Sequence, residues 1–170
     1  MAGPEGVAGD AGLTARDWRL RHKLVPAVYV LLERGGRLLL MRRAGTGFQD
    51  GKLSLIAGHL EADEGVFACA LREAAEEAGV ELDPTGLAVV TTMHRRTGEP
   101  GHERVDFFVA ARGWRGEPVN REPAKCSELV WAPIDDLPGD TIPYVRRAIE
   151  DWRRGVPFSS WGWEPTTEPM

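Results

Sequence analysis

The chain has 170 residues, which is the size of about one domain and is enough to bury a proper hydrophobic core. Its formal net charge of −5 argues against general nucleic-acid binding, because neutralising a phosphate backbone requires a basic surface. The two cysteines, Cys69 and Cys126, are too few for a disulfide framework or a zinc motif, and we expect small buried thiols. The sequence contains neither a signal peptide pattern nor an apolar run long enough to cross a bilayer. We therefore expect a cytoplasmic protein that does not bind membranes.

The first predicted elements are strands that lead to a glycine. Residues 1–20 are rich in Gly and Ala and are expected to form a flexible tail before a domain at 21–156. Strands are predicted at 25–32, 38–43 and 54–57, with a turn at 34–37 and a polar loop at 44–52. The third strand ends next to Gly58.

A helix is predicted from residue 65 to residue 78. Asp63 or Glu64 would place negative charge at its N-terminus. Gly79 suits a left-handed C-cap, and Val80 would fold back on the last turns. The spacing of the apolar side chains predicts a core-facing stripe, which consists of Phe67, Ala70, Leu71 and Ala74.

The remaining pattern predicts strands at 87–95, 104–111 and 128–134 and a second amphipathic helix at 141–154. The first two strands should pair antiparallel around the turn at 97–101. Residues 157–170 form an aromatic tail, in which Trp161 and Trp163 are candidates for packing on the sheet, lining a pocket or forming a homodimer contact. The fold class that follows is α+β, a mixed sheet between α-helices in α/β/α layers.

The first predicted helix carries three carboxylates on one face. Glu73, Glu76 and Glu77 stand at i, i+3 and i+4, so like charges crowd together and destabilise the helix unless a counter-charge is present. A hard divalent cation, Mg²⁺ or Mn²⁺, prefers carboxylate oxygens and shares its other positions with water and substrate phosphates. The pattern indicates a metal-dependent enzyme acting on phosphates, but taken alone it fits a solvated acidic face with an Arg72–Glu76 pair at least as well; the motif around it decides for the enzyme.

The segment from Gly58 to Val80 resembles the signature of the Nudix (MutT-like) hydrolases at every fixed position. The signature is Gly, five residues, Glu, seven residues, Arg-Glu, an apolar residue, any residue, Glu-Glu, any residue, Gly and an apolar residue. The matching residues here are Gly58, Glu64, Arg72, Glu73, Ala74, Glu76, Glu77, Gly79 and Val80.

The resemblance implies the Nudix fold over roughly residues 24–154, and it implies roles for the motif residues. Glu73, Glu76 and Glu77, assisted by the Gly58 carbonyl, would bind the metal. Arg72 would pair with Glu64 and orient the glutamates. Gly58 itself is explained by a positive φ or by a close approach to the metal.

Outside the motif the candidates are less specific. Several family members use a glutamate from a distant loop as general base, and Glu128 is our first candidate, with a helix glutamate, Glu122 or Glu103 as alternatives. Arg42 and Arg43 are candidates for binding substrate phosphates, although only one of them can face the site because neighbours on a strand point opposite ways. His94, in a basic cluster with Arg95 and Arg96, is another substrate-binding candidate.

These features predict a Nudix hydrolase that cleaves a nucleoside triphosphate, oxidised nucleotides included, to the monophosphate and pyrophosphate. Near residues 95–98 the chain lacks the proline typical of ADP-ribose-cleaving members and the tyrosine typical of dinucleoside-polyphosphate members. The alternatives are a hydrolase of a nucleoside diphosphate linked to another moiety, such as a sugar, and a non-catalytic nucleotide-binding module. An enzyme acting on RNA ends is disfavoured by the acidic balance. The expected partner is a small nucleotide and not an extended nucleic acid.

Overall fold

The computed structural model describes residues 21–98 and 102–163. The predicted tail at 1–20, part of the turn at 97–101 and the end of the aromatic tail lie outside these residues. A 3₁₀ turn at Pro84–Gly86 precedes β6. The strands and helices are β1 (Val25–Arg34), β2 (Arg37–Arg43), β3 (Leu53–Ser54), β4 (Ile56–His59), α1 (Val66–Ala78), β5 (Glu81–Leu82), β6 (Leu87–Arg96), β7 (Glu103–Ala111), β8 (Trp114–Arg115), β9 (Cys126–Pro133), α2 (Pro143–Arg153) and β10 (Phe158–Trp161).

A mixed sheet runs through the middle of the described structure. Its strand order is β10-β6-β7-β1-β2-β3, with β4 paired to β1 and β9 paired to β2. The parallel pairs are β1 with β7 and β10 with β6, and the other pairs in this sheet are antiparallel. A separate two-stranded sheet joins β5 and β8. The predicted β6–β7 antiparallel pair is confirmed.

The strands alternate between two hydrophobic layers, so each face of the sheet is covered by one helix. Tyr29 and Leu31 of β1 pack with α2, whereas Val28 and Val30 of the same strand pack with α1. This arrangement is the α/β/α sandwich predicted from the sequence. Neither helix in the described part of the chain has the length and apolar character that crossing a bilayer requires.

The buried stripe of α1 differs from the predicted one. Phe67 is 44% exposed, so the expectation that it faces the core is wrong. The residues that face the sheet instead are Cys69, Ala70, Glu73, Ala74, Glu77 and Ala78. Because four of these six side chains are small, the helix packs closely on the sheet, and two glutamates lie within its buried face.

The ends of α1 explain two of the motif positions. The N-cap is Gly65, which makes no side-chain cap, and Glu64, one of the two acids predicted to place negative charge at this end, directly precedes it. Gly79 has a φ of 66° and ends the helix in the left-handed conformation, as predicted. The Val80 amide then donates to the Ala74 carbonyl over 3.3 Å, and Val80 is buried.

The C-terminal segment adds an edge strand. Phe158–Trp161 forms β10 and pairs parallel with β6. The indole nitrogen of Trp163 donates to the His94 carbonyl over 3.2 Å. Packing on the sheet, the default expectation for these tryptophans, is observed, whereas a homodimer contact through them stays a prediction.

Candidate active site

The site is built around Gly58, on strand β4. Gly58 does not have a positive φ, so its backbone conformation does not explain the glycine. A Cβ atom added there would lie 1.7 Å from Oε1 of Glu73 and 2.0 Å from its Cδ. The missing side chain therefore leaves the space that the Glu73 carboxylate fills, whereas the expected close approach of Gly58 to a metal stays a prediction.

Arg72 joins the acidic groups of the motif. Its Nε and Nη2 donate to the two oxygens of Glu64 over 2.8 and 2.9 Å, a bidentate pair that crosses from the loop to the helix. Its Nη1 donates to Glu73 over 2.6 Å and to Glu76 over 3.2 Å. The structure thus brings Glu64 to Arg72, as the resemblance implied. The hydrogen bonds from Arg72 lower the pKa of Glu64 to about 2.

Glu77 lies deepest of the three helix glutamates that were predicted to bind metal. It is 9% exposed, and its Oε2 accepts a hydrogen bond from the Ala57 amide of β4 over 3.0 Å. Burial, together with the charge of Glu73, raises the pKa of Glu77 to about 8. Burial also raises the pKa of Glu73, which is 8% exposed, against the opposing effect of Arg72. The site therefore holds buried carboxylates whose negative charge Arg72 compensates only in part.

The donor set fits a hard divalent cation. Carboxylate oxygens and a backbone carbonyl are the ligands that Mg²⁺ and Mn²⁺ prefer, and a cation would supply the counter-charge that Glu77 lacks. Within residues 21–98 and 102–163, no three His, Cys, Asp or Glu side chains are yet gathered closely enough to hold an ion. Arg72 provides the positive charge beside Glu73 and Glu76 in this arrangement.

The loop between β8 and β9 brings further charged residues close to the glutamates of α1. The amides of Val119 and Arg121 donate to the Ala78 and Glu77 carbonyls, so the loop completes the C-terminal hydrogen bonds of α1. This packing places Glu122 where its charge contributes to raising the pKa values of both Glu73 and Glu77. Glu122 also pairs with Lys125 at 2.9 Å.

Glu128, the first candidate for the general base, is held by Arg42. The two residues are cross-strand partners in β9 and β2, and Nε of Arg42 lies 2.6 Å from Oε1 of Glu128. Nη1 of Arg42 also pairs with Asp140 at 2.5 Å. Arg42 thus pairs with two carboxylates. Its neighbour Arg43 instead lines a cleft on the other side of the strand.

A cleft opens on the α2 face of the sheet, next to Gly58. A space of 490 Å³ and a smaller hollow of 100 Å³ are continuous and share Arg43, Phe48, His59, Arg95 and Arg104. Gly58 and Ala57 line the smaller hollow. Because Gly58 contacts Glu73 and Ala57 contacts Glu77, strand β4 separates the end of the cleft from the buried carboxylates.

The cleft walls carry both positive charge and an exposed ring. Arg43 donates to the Phe48 carbonyl over 2.8 Å and to the Thr46 hydroxyl over 3.0 Å, which are both neutral partners. Phe48 is 48% exposed and lies over Arg43, 5.6 Å from ring centroid to guanidinium carbon. Burial, with a contribution from Arg104, lowers the pKa of His59. The cleft thus offers cations beside a flat apolar surface.

His94 does not line this cleft. Its ring packs against Trp163, with 4.5 Å between ring centroids, and it lies 3.8 Å from Glu103. Its neighbour Arg95 lines the cleft instead, because successive residues of a strand face opposite sides. Of the predicted basic cluster, Arg95 is thus the residue that lines this cleft, and a substrate contact of His94 stays a prediction.

Other residues of the cleft were missed by the sequence analysis. Arg104, His59 and Phe48 were not among the candidates. Phe48 had a usable signal, since it is a lone aromatic residue in a glycine-rich polar loop. Asp106 is followed directly by the apolar run at 107–111, and an acid buried in such a strand requires a partner, which would have pointed to the nearby arginines.

The fold and the site together define a class of hydrolases. In this class the glutamates of one helix, here α1, pack against a strand that contains a glycine, here Gly58 of β4. The chain belongs to the Nudix family, because the family profile described as "NUDIX domain" matches residues 22–152. It is a Nudix hydrolase.

Curated relatives carry the name NAD-capped RNA hydrolase NudC. The chain is 28% identical over 130 residues to the protein from Stutzerimonas stutzeri, an alignment that covers 68% of this chain and 39% of the relative. It is 30% identical over 121 residues to the protein from Chromobacterium violaceum, covering 71% of this chain and 42% of the relative. The chain therefore spans about two fifths of the length of these relatives.

Solved structures show the same fold. The MutT NUDIX hydrolase from Burkholderia pseudomallei superposes with a TM-score of 0.69 and 26% identity, over 75% of this chain and 97% of that one. The NUDIX domain of Shewanella oneidensis NrtR, solved in complex with ADP ribose, gives a TM-score of 0.64 at 20% identity, over 81% of this chain and 92% of that one. The second likeness concerns the fold alone.

Proposed function

We propose that this chain is a Mg²⁺- or Mn²⁺-dependent pyrophosphohydrolase that cleaves a nucleoside triphosphate to the monophosphate and pyrophosphate. The observation that carries the proposal is the meeting of two opposite charge patterns at Gly58. Buried carboxylates lie on one side of β4, and a cleft with three guanidinium groups opens on the other side. A polyphosphate chain placed across this edge contacts the arginines along its length and the carboxylates through a cation.

Glu73, Glu76, Glu77 and the Gly58 carbonyl would hold the metal. When bound, such an ion offsets phosphate charge and acidifies a water molecule. Arg72 orients the ligands, because its guanidinium links Glu64 on the loop to Glu73 and Glu76 on the helix. Arg43 binds phosphate oxygens, and Phe48 offers a ring face for the nucleobase.

We assign the general base to Glu122 in preference to Glu128. A base must reach the attacking water beside the metal ligands. Both candidates pair with a cation, Glu122 with Lys125 and Glu128 with Arg42, but only the charge of Glu122 acts on both Glu73 and Glu77. The role of Glu122 is to accept the proton of the water molecule as it attacks phosphorus.

A test of the metal site is the Glu76→Gln variant, assayed for nucleotide hydrolysis while Mg²⁺ or Mn²⁺ is titrated. Loss of one charged ligand is expected to lower kcat by about 100-fold or more and to raise the metal concentration needed for half-maximal rate. The matched control is Glu81→Gln, because Glu81 pairs with Arg115 on the surface and has a 72% exposed side chain. An unchanged rate and metal requirement in Glu76→Gln would contradict the assignment.

A second candidate function is cleavage of a nucleoside diphosphate joined to another group, such as a sugar or a second nucleoside. The names of the curated relatives favour it, since NAD is a diphosphate-linked dinucleotide. A panel of nucleoside triphosphates, sugar nucleotides and NAD, read out by chromatography of the products, separates the two candidates. If triphosphates were inert while a sugar nucleotide or NAD turned over, the first candidate would be wrong.

A further inference from the structure

The floor of the cleft contains two arginines that share one buried acid. Arg95 and Arg104 are direct cross-strand partners in β6 and β7. Nε of Arg95 donates to Oδ2 of Asp106 over 2.6 Å, and Nε of Arg104 lies 3.4 Å from Oδ1 of the same carboxylate. Asp106 is fully buried, and Arg95 is 4% exposed.

The charges of this group do not balance. Like charges directly opposite each other on paired strands destabilise a sheet, and buried charges require partners. One carboxylate serves two guanidinium groups, so one positive charge remains in excess. Arg43, across the cleft, adds a second positive charge; its hydrogen bonds go to neutral groups, and its charge acts on the carboxylate of Asp50.

The terminal nitrogens of Arg95 and Arg104 are available for a ligand. Only the Nε atom of each arginine has a hydrogen-bond acceptor within the described residues. None of the described residues that line the cleft is Asp or Glu, and the lining is Val25, Ala27, Tyr29, Arg43, Phe48, Ala57, Gly58, His59, Arg95, Thr97, His102, Arg104 and Tyr144. Two planar donor groups therefore border a space whose described lining carries positive charge and no carboxylate.

Packing fixes the position of Arg95. Its guanidinium carbon lies 4.0 Å from the ring centroid of Tyr144, at the start of α2. The Tyr144 hydroxyl in turn accepts a hydrogen bond from Tyr29 over 3.3 Å. A guanidinium held by a carboxylate on one side and a ring on another is pre-organised, so binding a ligand costs little side-chain entropy.

We propose that Arg95 and Arg104, joined by Asp106, form a second anion subsite that binds a further, terminal phosphate group of the substrate beyond the diphosphate being cut. Arg95, Arg104 and Asp106 together carry one excess positive charge, and Arg43 lines the same cleft, so the charge of the site is complementary to an anionic phosphate group. This inference rests on the proposed function, and it names the part of the substrate that determines selectivity. In a nucleoside triphosphate the group is the terminal phosphate.

The first experiment measures anion binding without turnover. Calorimetry with inorganic tripolyphosphate in excess EDTA compares the native chain with Arg104→Gln, whose side chain is 19% exposed in the native structure and is easier to replace than Arg95. The control is Arg115→Gln, which removes the same charge from a side chain that is 83% exposed. We expect Arg104→Gln to weaken binding by about 10- to 100-fold and Arg115→Gln to leave it within about twofold.

Equal affinity in the two variants, or no binding of tripolyphosphate by the native chain, would overturn the subsite. Arg104→Lys distinguishes loss of charge from loss of the planar fork, and it should recover only part of the affinity. Thermal unfolding of each variant shows whether the fold is intact. Because no catalysis is involved, this experiment decides the subsite even if no nucleotide is hydrolysed and the proposed function fails.

The second experiment identifies the source of the phosphate. Values of kcat/KM are compared for a nucleoside triphosphate, for NAD and for NADP, which differs from NAD by one ribose phosphate. If the terminal phosphate binds, Arg104→Gln lowers kcat/KM for the triphosphate by about 10- to 100-fold and leaves NAD within about threefold. A loss confined to NADP would instead assign the subsite to a ribose phosphate and overturn the terminal-phosphate assignment. Equal losses on all three substrates would contradict a second subsite.

Discussion

Replacing Gly58 with alanine tests the geometry of the site with a single methyl group. The added Cβ would lie 1.7 Å from Oε1 of Glu73, whereas real Cβ atoms keep at least 3.0 Å from such neighbours. Since Gly58 has no positive φ, the backbone itself tolerates alanine, and the conflict falls on the Glu73 carboxylate. That carboxylate must retreat by more than 1 Å, away from β4 and out of its hydrogen bond with Arg72.

The displacement has separate costs for activity and for stability. A misplacement of about 1 Å at a catalytic group lowers the rate by about 100-fold, and we expect at least that loss in kcat. Overpacking by one methyl group costs about 1–3 kcal/mol of the free energy of unfolding. The lower end applies here, because Arg72 keeps its bidentate pair with Glu64. The variant should therefore fold but be nearly inactive.

The assay combines initial rates of pyrophosphate release at saturating Mg²⁺ with urea unfolding. The matched control is Gly65→Ala, because a Cβ at Gly65 meets nothing within 4 Å and its φ of −84° suits alanine. We expect Gly65→Ala to keep the native rate within about threefold and to lose at most about 1 kcal/mol of stability. Native activity in Gly58→Ala, or equal inactivity in both variants, would refute the steric explanation.

Two further predictions concern carboxylates outside the helix. If Glu122 is the general base, Glu122→Gln lowers kcat by about 100- to 10,000-fold at neutral pH, whereas Glu128→Gln lowers kcat by less than about tenfold. Both variants are assayed at saturating substrate. A larger loss in Glu128→Gln than in Glu122→Gln would reassign the base to Glu128. The second prediction concerns the pKa of Glu64, which falls from 4.5 to about 2 on folding. Its ion pair with Arg72 should therefore stabilise the fold fully above about pH 4.5, and the stabilisation should be lost as the pH falls through 2. The difference in free energy of unfolding between the native chain and Glu64→Gln, followed by urea titration from pH 6 to pH 2, should shrink over that window; a constant difference would contradict the prediction.

The fold was predictable because its signals are local. Alternation in the strands, the left-handed Gly79 and the amphipathic pattern of α2 each report on a few neighbouring residues. The error at Phe67 has a physical cause. Apolar character was taken to mark the buried face, but small side chains and two functional glutamates occupy it instead.

The cleft was less predictable because its residues converge from distant strands. Arg43 and Arg104 are far apart in sequence, and their strands, β2 and β7, come around one space because both pair with β1. The choice of His94 over Arg95 depended on a strand register that composition does not determine. A shift of one residue in the register exchanges the faces of the whole strand, so neighbours such as these cannot be told apart from sequence alone.

Arg72 connects the glutamates of helix α1 to Glu64 on the preceding loop. The sequence argument started from repulsion among three carboxylates and concluded that a cation is needed. Arg72 supplies part of that charge to Glu73 and Glu76, but it makes no ion pair with Glu77 among the described contacts. The unmet charge therefore lies at Glu77, between the helix and β4 and next to the end of the cleft. A cation at this position would neutralise the Glu77 carboxylate and would also bind phosphate oxygens. The counter-charge that the buried carboxylates require and the group that binds a polyphosphate would then be the same ion.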